Sequence, residues 1–138
     1  MQRSRDRLGR PLADDADPAL AVAPVPEAGE VTAADAWTQA LGYLAQGLPF
    51  HAHEVLEQRW RCCPGDERAT WRSLAQWAAA LTHQARGNRV GAERVARRAA
   101  DVLADCTVVP EPIDSGLVRA SLERVIAESA SPGSAGLT

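Results

Sequence analysis

The sequence predicts an all-α fold of about five helices, arranged as two tetratricopeptide-like antiparallel αα-hairpins and a C-terminal closing helix. Three observations lead to this prediction. Apolar residues recur with a helical period in each segment between residues 31 and 129. Glycine, proline or asparagine separates these segments at short intervals. No run of residues alternates between apolar and polar as a half-buried strand would.

The first two helices have clear start and stop signals. The first is expected to begin after Thr32, an N-cap residue with Asp35 three positions later, and to end at Gly47. The second is expected to begin at Pro49, because proline is favoured at the first helical position, and to end before Pro64.

The remaining three helices are delimited in the same way. The third is expected to begin with acidic residues at Asp66 and to end at Gly87, and the fourth follows Asn88. The connector TVVPEPI leads to Asp114 or Ser115, either of which can cap the fifth helix.

A faint internal repeat supports the hairpin arrangement. The segments GLPFHAHEV (47–55) and GNRVGAERV (87–95) align, and in both a glycine ends one helix before the apolar stripe of the next begins. Each unit is therefore a helix, a tight glycine turn and a second helix, which is the pattern of an αα-hairpin array.

The two ends of the chain have a different composition from its middle. Residues 1–30 are first basic and then acidic and rich in alanine and proline, without a sustained period. We expect a disordered N-terminal tail there, a single helical domain over 31–129 and a second disordered tail over 130–138.

Composition and charge narrow the classes of function. The formal net charge of −3 gives no general attraction to nucleic acid or acidic membranes, so neither is expected as a partner. No apolar run approaches the roughly 20 residues of a membrane span, and the N-terminus lacks the apolar segment of a secretory signal. Cys62, Cys63 and Cys106 fit neither a disulfide framework nor a zinc motif. We therefore expect reduced thiols in a cytoplasmic protein.

The segment FHAHEVLEQRW (50–60) carries polar residues on a half-apolar helix. On a helical wheel His53 and Glu57 border the apolar face, and Glu54 lies further round. His51 and Gln58 are expected to point toward solvent.

The third helix adds two more polar residues to this region. Gln76 and His83 share a second face of that helix with alanines, so they are expected to be buried. Buried polar groups need partners, and the expected partners are His53, Glu54 and Glu57 on the preceding helix. The candidate cluster is His53, Glu54, Glu57, Trp60, Arg61, Gln76, His83 and Asn88.

Three interpretations of this cluster remain open. It can be a hydrogen-bonded network that fixes how the helices pack, or a pocket for a small molecule or peptide with tryptophan walls. It can also be a divalent metal site, with His53, Glu57 and His83 as the candidate ligands, although the HExxE pattern alone is a weak signal. No catalytic residue can be assigned.

The ordered motifs resemble a known family. The phrases F-x-A-H-E-x-L-E-x-x-W-R, Q-x-x-A-A-x-x-H and G-N-x-x-G-A are similar to those of the all-helical domain-of-unknown-function family numbered 309. The basic RDRLGRPL also resembles the N-terminal arms of some members. Ser73 stands where members often have glycine. The resemblance implies a helical, tetratricopeptide-like fold and a polar cluster between the second and third helices, without an activity. The positions that match its motifs are His53, Glu54, Glu57, Trp60, Arg61, Gln76, Ala79, His83, Gly87, Asn88, Gly91 and Ala92.

The sequence therefore favours a small helical binding or scaffold module. Its partner would be a protein or a small molecule, and its alanine-rich helix faces also suit a homodimer. The alternative is a metal-dependent, hydrolase-like enzyme in which Glu54 or Glu57 acts as the general base.

Overall fold

A computed structural model describes residues 4–27 and 29–130. Within these residues the regular structure is helical, and the only β-type pairing consists of isolated bridges from Arg5 to Pro11 and Val22. The all-α prediction is therefore confirmed. The α-helices are α1 (Ala33–Ala45), α2 (Pro49–Cys62), α3 (Arg68–Ala85), α4 (Arg89–Ala104) and α5 (Ser115–Ala130). None of these helices is long and apolar enough to cross a membrane.

The predicted helix ends coincide with observed capping contacts. The Thr32 hydroxyl accepts a hydrogen bond from the amide of Asp35 at 3.1 Å, which caps α1. Gly47 follows α1 with a positive φ of 73°, a conformation that favours glycine. At α5 the capping side chain is Asp114, which accepts from the amide of Leu117 at 3.0 Å.

The start of α3 differs from the prediction. The acidic residues form a short 3-10 turn, Gly65–Glu67, and the α-helix begins at Arg68. The Glu67 carboxylate does not cap the helix, because it accepts hydrogen bonds from Arg59 at 3.0 Å and from the Trp71 indole at 2.9 Å.

Helices that follow one another in the chain pack against one another, and α5 also contacts α3. The connections 46–48, 63–67 and 86–88 are short, as in antiparallel hairpins. The likeness to tetratricopeptide arrays remains a prediction.

The core is built from a few large rings between alanine faces. Trp71 and Trp77 are buried, and Trp37 stacks on Trp77 with ring centroids 6.2 Å apart. The Trp77 indole donates a hydrogen bond to the Ser121 hydroxyl at 2.9 Å, which ties α3 to α5. The fully buried alanines are Ala36, Ala40, Ala52, Ala78, Ala80, Ala92, Ala96 and Ala99.

The N-terminal arm, residues 4–27, contacts the helices, and the disorder that composition predicts for it stays a prediction. A tight turn starts it, in which the Asp6 carboxylate accepts from the amides of Leu8 and Arg10, both at 2.9 Å. Gly9 has a φ of 77° and is buried against the Phe50 ring. Such contacts have no sequence period, so a periodicity argument cannot find them.

The arm is also held at the far ends of two helices. Arg86, just after α3, donates two hydrogen bonds to the Leu8 carbonyl at 3.0 and 2.6 Å. Arg7 donates to the Gly47 carbonyl after α1 at 3.3 Å. The expected C-terminal tail lies outside the described residues from position 131 onward.

Candidate functional site

Four of the predicted site residues form a row along one side of α2. The His53 ring lies 3.6 Å from the Glu54 carboxylate and 3.5 Å from that of Glu57. Arg61 donates to Glu57 at 2.8 Å across one helical turn. These side chains are partly exposed, so the row is a polar surface that runs along one helix.

The charge environment of this row acts on Glu54. Its polar contact with His53 lowers the pKa of the carboxyl below its ordinary value. Partial burial opposes this shift, while the positive charges of Arg61 and Arg5 add to it. Glu54 is therefore held in its charged form beside two guanidinium groups.

The candidates on α3 do not join this row. The Asn88 amide nitrogen lies 3.1 Å from His83 Nδ1, and its oxygen accepts from the Gly91 amide at 3.0 Å. With the amide oriented in this way Nδ1 must accept, so the proton of a neutral His83 is on Nε2. His83 and Asn88 thus form the cap of α4.

This cap explains the G-N-x-x-G-A motif in physical terms. A Cβ on Gly91 would lie 2.5 Å from Asn88 Nδ2 and 3.0 Å from His83 Nδ1, so a larger residue would displace the cap. Burial lowers the pKa of His83, and the nearby charges of Arg86 and Arg94 lower it further. The ring is therefore held in the neutral form that this cap needs.

The expected hydrogen-bonded network between α2 and α3 is not formed by the described residues. Gln76 Oε1 and Trp60 Nε1 are buried without a hydrogen-bond partner among residues 4–27 and 29–130. Trp60 instead lies under the guanidinium of Arg68, 5.3 Å from the ring centroid. The sequence assigned these side chains to the correct helices, but a helical wheel could not show which groups they contact.

The metal interpretation gains no geometric support. Across residues 4–27 and 29–130, no group of three or more His, Cys, Asp or Glu side chains could hold a metal ion. His53 and Glu57 are close to each other, but His83, the third candidate ligand, contacts Asn88. The expected ligand set is therefore not assembled.

A pocket of about 240 Å³ lies between the N-terminal arm and α2. Arg5 and Arg61 contribute positive charge to its wall, and Glu27 and Glu54 contribute negative charge. Phe50 adds an aromatic surface, with the Arg5 guanidinium 5.5 Å from its centroid. The pocket can therefore receive a ligand that carries both hydrogen-bond donors and acceptors.

His51 also lines this pocket, and the prediction that it points to solvent is wrong. Its side chain is buried, and Nε2 lies 3.0 Å from the Ala23 carbonyl of the arm. Nδ1 is buried without a hydrogen-bond partner among the described atoms. The prediction failed because the face of α2 that points away from the other helices is covered by the arm.

Sequence reasoning also missed one polar group that links α2 to the start of α3. Arg59 donates to Glu67 at 3.0 Å and to the Val31 carbonyl at 3.0 Å, and its guanidinium lies 5.3 Å from the Trp71 centroid. Both ends of the ion pair are largely buried. No motif signals this pair, because its partners come from a turn whose shape the sequence does not specify.

Comparison with known families gives one match. The family described as a domain of unknown function (DUF309) matches residues 37–95, which confirms the resemblance drawn from the motifs. The matched stretch begins in α1 and ends in the first half of α4. No curated protein and no solved structure shows a significant match to the chain.

Proposed function

We propose that this chain with its DUF309 stretch is a helical binding module that takes a short segment of a partner protein. The binding site is the outer face of α2, which we define as the side that borders the pocket and the N-terminal arm. Its residues are Phe50, His51, Glu54, Gln58 and Arg61. The observation that carries this proposal is the pocket of about 240 Å³ there, with charges of both signs in its wall. An extended peptide offers amides and carbonyls in alternation, and such a wall can pair with both.

Two polar side chains that line the pocket support the same site. His51 Nδ1 is buried without a hydrogen-bond partner among the described residues, and Glu54 is held charged by its contact with His53 and by the charges of Arg61 and Arg5. A buried polar atom without a partner costs free energy, so a ligand that satisfies it binds more favourably. The α2 wall of this surface belongs to a helical scaffold with short connections, so it is in place before the ligand arrives.

Selection from a random peptide library tests the proposal. Displayed peptides are panned against the full-length chain, and the enriched peptides are then measured with two charge-reversal variants. Arg61→Glu changes the proposed site, and Arg97→Glu is the matched control on α4. Both arginines are exposed and pair with a glutamate one helical turn before them, at 2.8 and 3.0 Å.

We expect Arg61→Glu to lower the affinity of the enriched peptides by about tenfold or more. One reversed charge at a binding site costs at least about 1.4 kcal/mol of binding free energy. Arg97→Glu should leave their affinity unchanged. The proposal is overturned if no peptide is enriched, or if the enriched peptides bind both variants as they bind the unmodified chain. Thermal unfolding of both variants shows that each is folded.

A further inference from the structure

The arm already places a peptide segment on the outer face of α2. The carbonyl of Ala23 accepts from His51 Nε2 at 3.0 Å, and that of Pro26 accepts from Gln58 Nε2 at 3.2 Å. Both contacts are made to the backbone of the segment VAPVP (22–26). Two side chains of α2 therefore bind two backbone carbonyls that lie three residues apart in this segment.

The sequence of this segment favours an extended, proline-rich conformation. Pro24 and Pro26 fix their own φ angles, and each proline drives the residue before it away from helical angles. Ala21, directly before the segment, has φ −70° and ψ 136°, close to the values of polyproline II. The two prolines and the angles of Ala21 favour this conformation for residues 22–26, which would form one to two turns of it.

The spacing of the two contacts matches this conformation. Polyproline II has three residues per turn, so carbonyls three apart lie on the same side, about 9 Å from each other. His51 and Gln58 are two turns apart on α2, so they share a face and are separated by about 10 Å along the axis. The spacing of His51 and Gln58 along α2 is thus close to the spacing of carbonyls on successive turns of a polyproline II segment.

We propose that the outer face of α2 is a receptor for a proline-rich extended segment of a partner protein, recognised through His51 and Gln58. Residues 23–26 occupy this receptor within the same chain and exchange with the partner's segment, which then takes the place of Pro24 and Val25 in the pocket wall. This inference rests on the proposed function, and it names the class of partner.

The contacts of this segment show which part of it can exchange. Both proline side chains are exposed, and the two hydrogen bonds from α2 go to backbone carbonyls. Val22 is tied to the start of the arm, because its amide donates to the Arg5 carbonyl at 2.9 Å, and Val25 packs against the core. Residues 23–26 can therefore leave the helix, with loss of the Val25 contact, while Val22 and the first turn of the arm stay in place.

A synthetic peptide with the sequence of residues 20–27, LAVAPVPE, tests the inference. It is titrated into the isotopically labelled full-length chain and into the full-length double variant Pro24→Ala/Pro26→Ala, and amide signals are followed. The variant's own segment competes less well, so the peptide should bind it about tenfold more tightly than it binds the unmodified chain. The shifted signals should include those of α2 between His51 and Gln58.

Two controls make the test specific. The peptide LAVAAVAE, which lacks both prolines, should bind the double variant about tenfold more weakly, because it is not preorganised in the extended conformation. Adding Gln58→Ala to the double variant should weaken the binding of LAVAPVPE. Adding Gln84→Ala, which changes a half-buried glutamine on α3, should leave this binding unchanged. Equal binding of the two peptides, or no shifts on α2 in either protein, would overturn the inference.

The two proposals fail in different ways. Peptides from the library that depend on Arg61 but contain no proline would overturn the proline-rich receptor and leave the binding module standing. An absence of any peptide that depends on Arg61 would overturn the binding module itself.

Discussion

The junction between α3 and α4 and the outer face of α2 use similar polar residues in different ways. At the junction, His83 Nδ1 and both polar atoms of the Asn88 side chain have partners at 3.0–3.1 Å. On α2, His53 approaches two carboxylates only at 3.5 and 3.6 Å, and His51 Nδ1 is buried with no partner in the part of the chain that the structure describes. The junction is a closed network, and the face of α2 is not.

This difference assigns separate tasks to the two halves of the family motif. The H…G-N-x-x-G part places a neutral histidine, an asparagine and a glycine so that they cap α4, which is a structural task. The F-x-A-H-E-x-L-E part places charges on a face that borders the arm and a pocket. Changes at the junction should therefore act on stability, and changes on α2 should act mainly on binding.

The largest effect is expected for Gly91→Ala. The new methyl group would meet Asn88 and His83, so the free energy of unfolding should fall by about 1–3 kcal/mol, as for other overpacked sites. Chemical denaturation measures this change. Gly42→Ala is the matched control within α1, where no atom of the described residues lies within 4 Å of the added carbon, and it should raise stability by about 0.5–1 kcal/mol. A similar effect of both changes would contradict the closed junction.

Removal of the cap should have the next largest effect. Asn88→Ala deletes the acceptor for the Gly91 amide, so stability should fall by about 1 kcal/mol. Asn88→Asp keeps this acceptor and loses only the donor to His83, so its loss should be smaller. If the two variants unfold at the same denaturant concentration, the capping acceptor is not the important group.

The pH dependence of stability should show the neutral state of His83. Its folded-state pKa lies below the ordinary value, so between the two values the unfolded chain binds more protons than the folded chain. The stabilising effect of the neutral ring is complete above the ordinary pKa of histidine. It declines as pH falls below that value and is fully lost below the folded-state pKa. Denaturation at a series of pH values should show this decline, and His83→Gln should reduce it. An unchanged decline in His83→Gln would contradict the assignment.

The smallest effect is expected on α2. Glu57→Gln weakens a partly exposed row of charges, so stability should change by no more than about 0.5 kcal/mol. Added Zn²⁺, Mn²⁺ or Fe²⁺ should leave the melting temperature unchanged in the unmodified chain and in this variant, because the described donors do not form a three-ligand group. A metal-dependent rise that Glu57→Gln abolishes would contradict this account.

The helices were predictable because their signals are local. Thr32 and Pro49 start α1 and α2 as expected, and Gly47 follows the end of α1 with the positive φ expected of a helix stop. A cap or a helical period depends only on residues a few positions away, so the sequence contains the information directly.

The partners of the polar residues were not predictable in the same way. A wheel gives the direction of His83 on α3, but it does not show that Asn88 lies closer to it than His53 does. It also placed His51 toward solvent, because the arm that covers it has no period to reveal its position. Contacts that depend on where an irregular segment lies are fixed by the tertiary structure.

The division of tasks between the two regions can be tested most directly by measuring the affinity of a library-selected peptide for Arg61→Glu and for Asn88→Ala, both full-length. The account predicts that Arg61→Glu loses about tenfold or more in affinity and that Asn88→Ala keeps the affinity of the unmodified chain. Equal losses in both variants, or a loss only in Asn88→Ala, would contradict the claim that the face of α2 binds and the junction only stabilises.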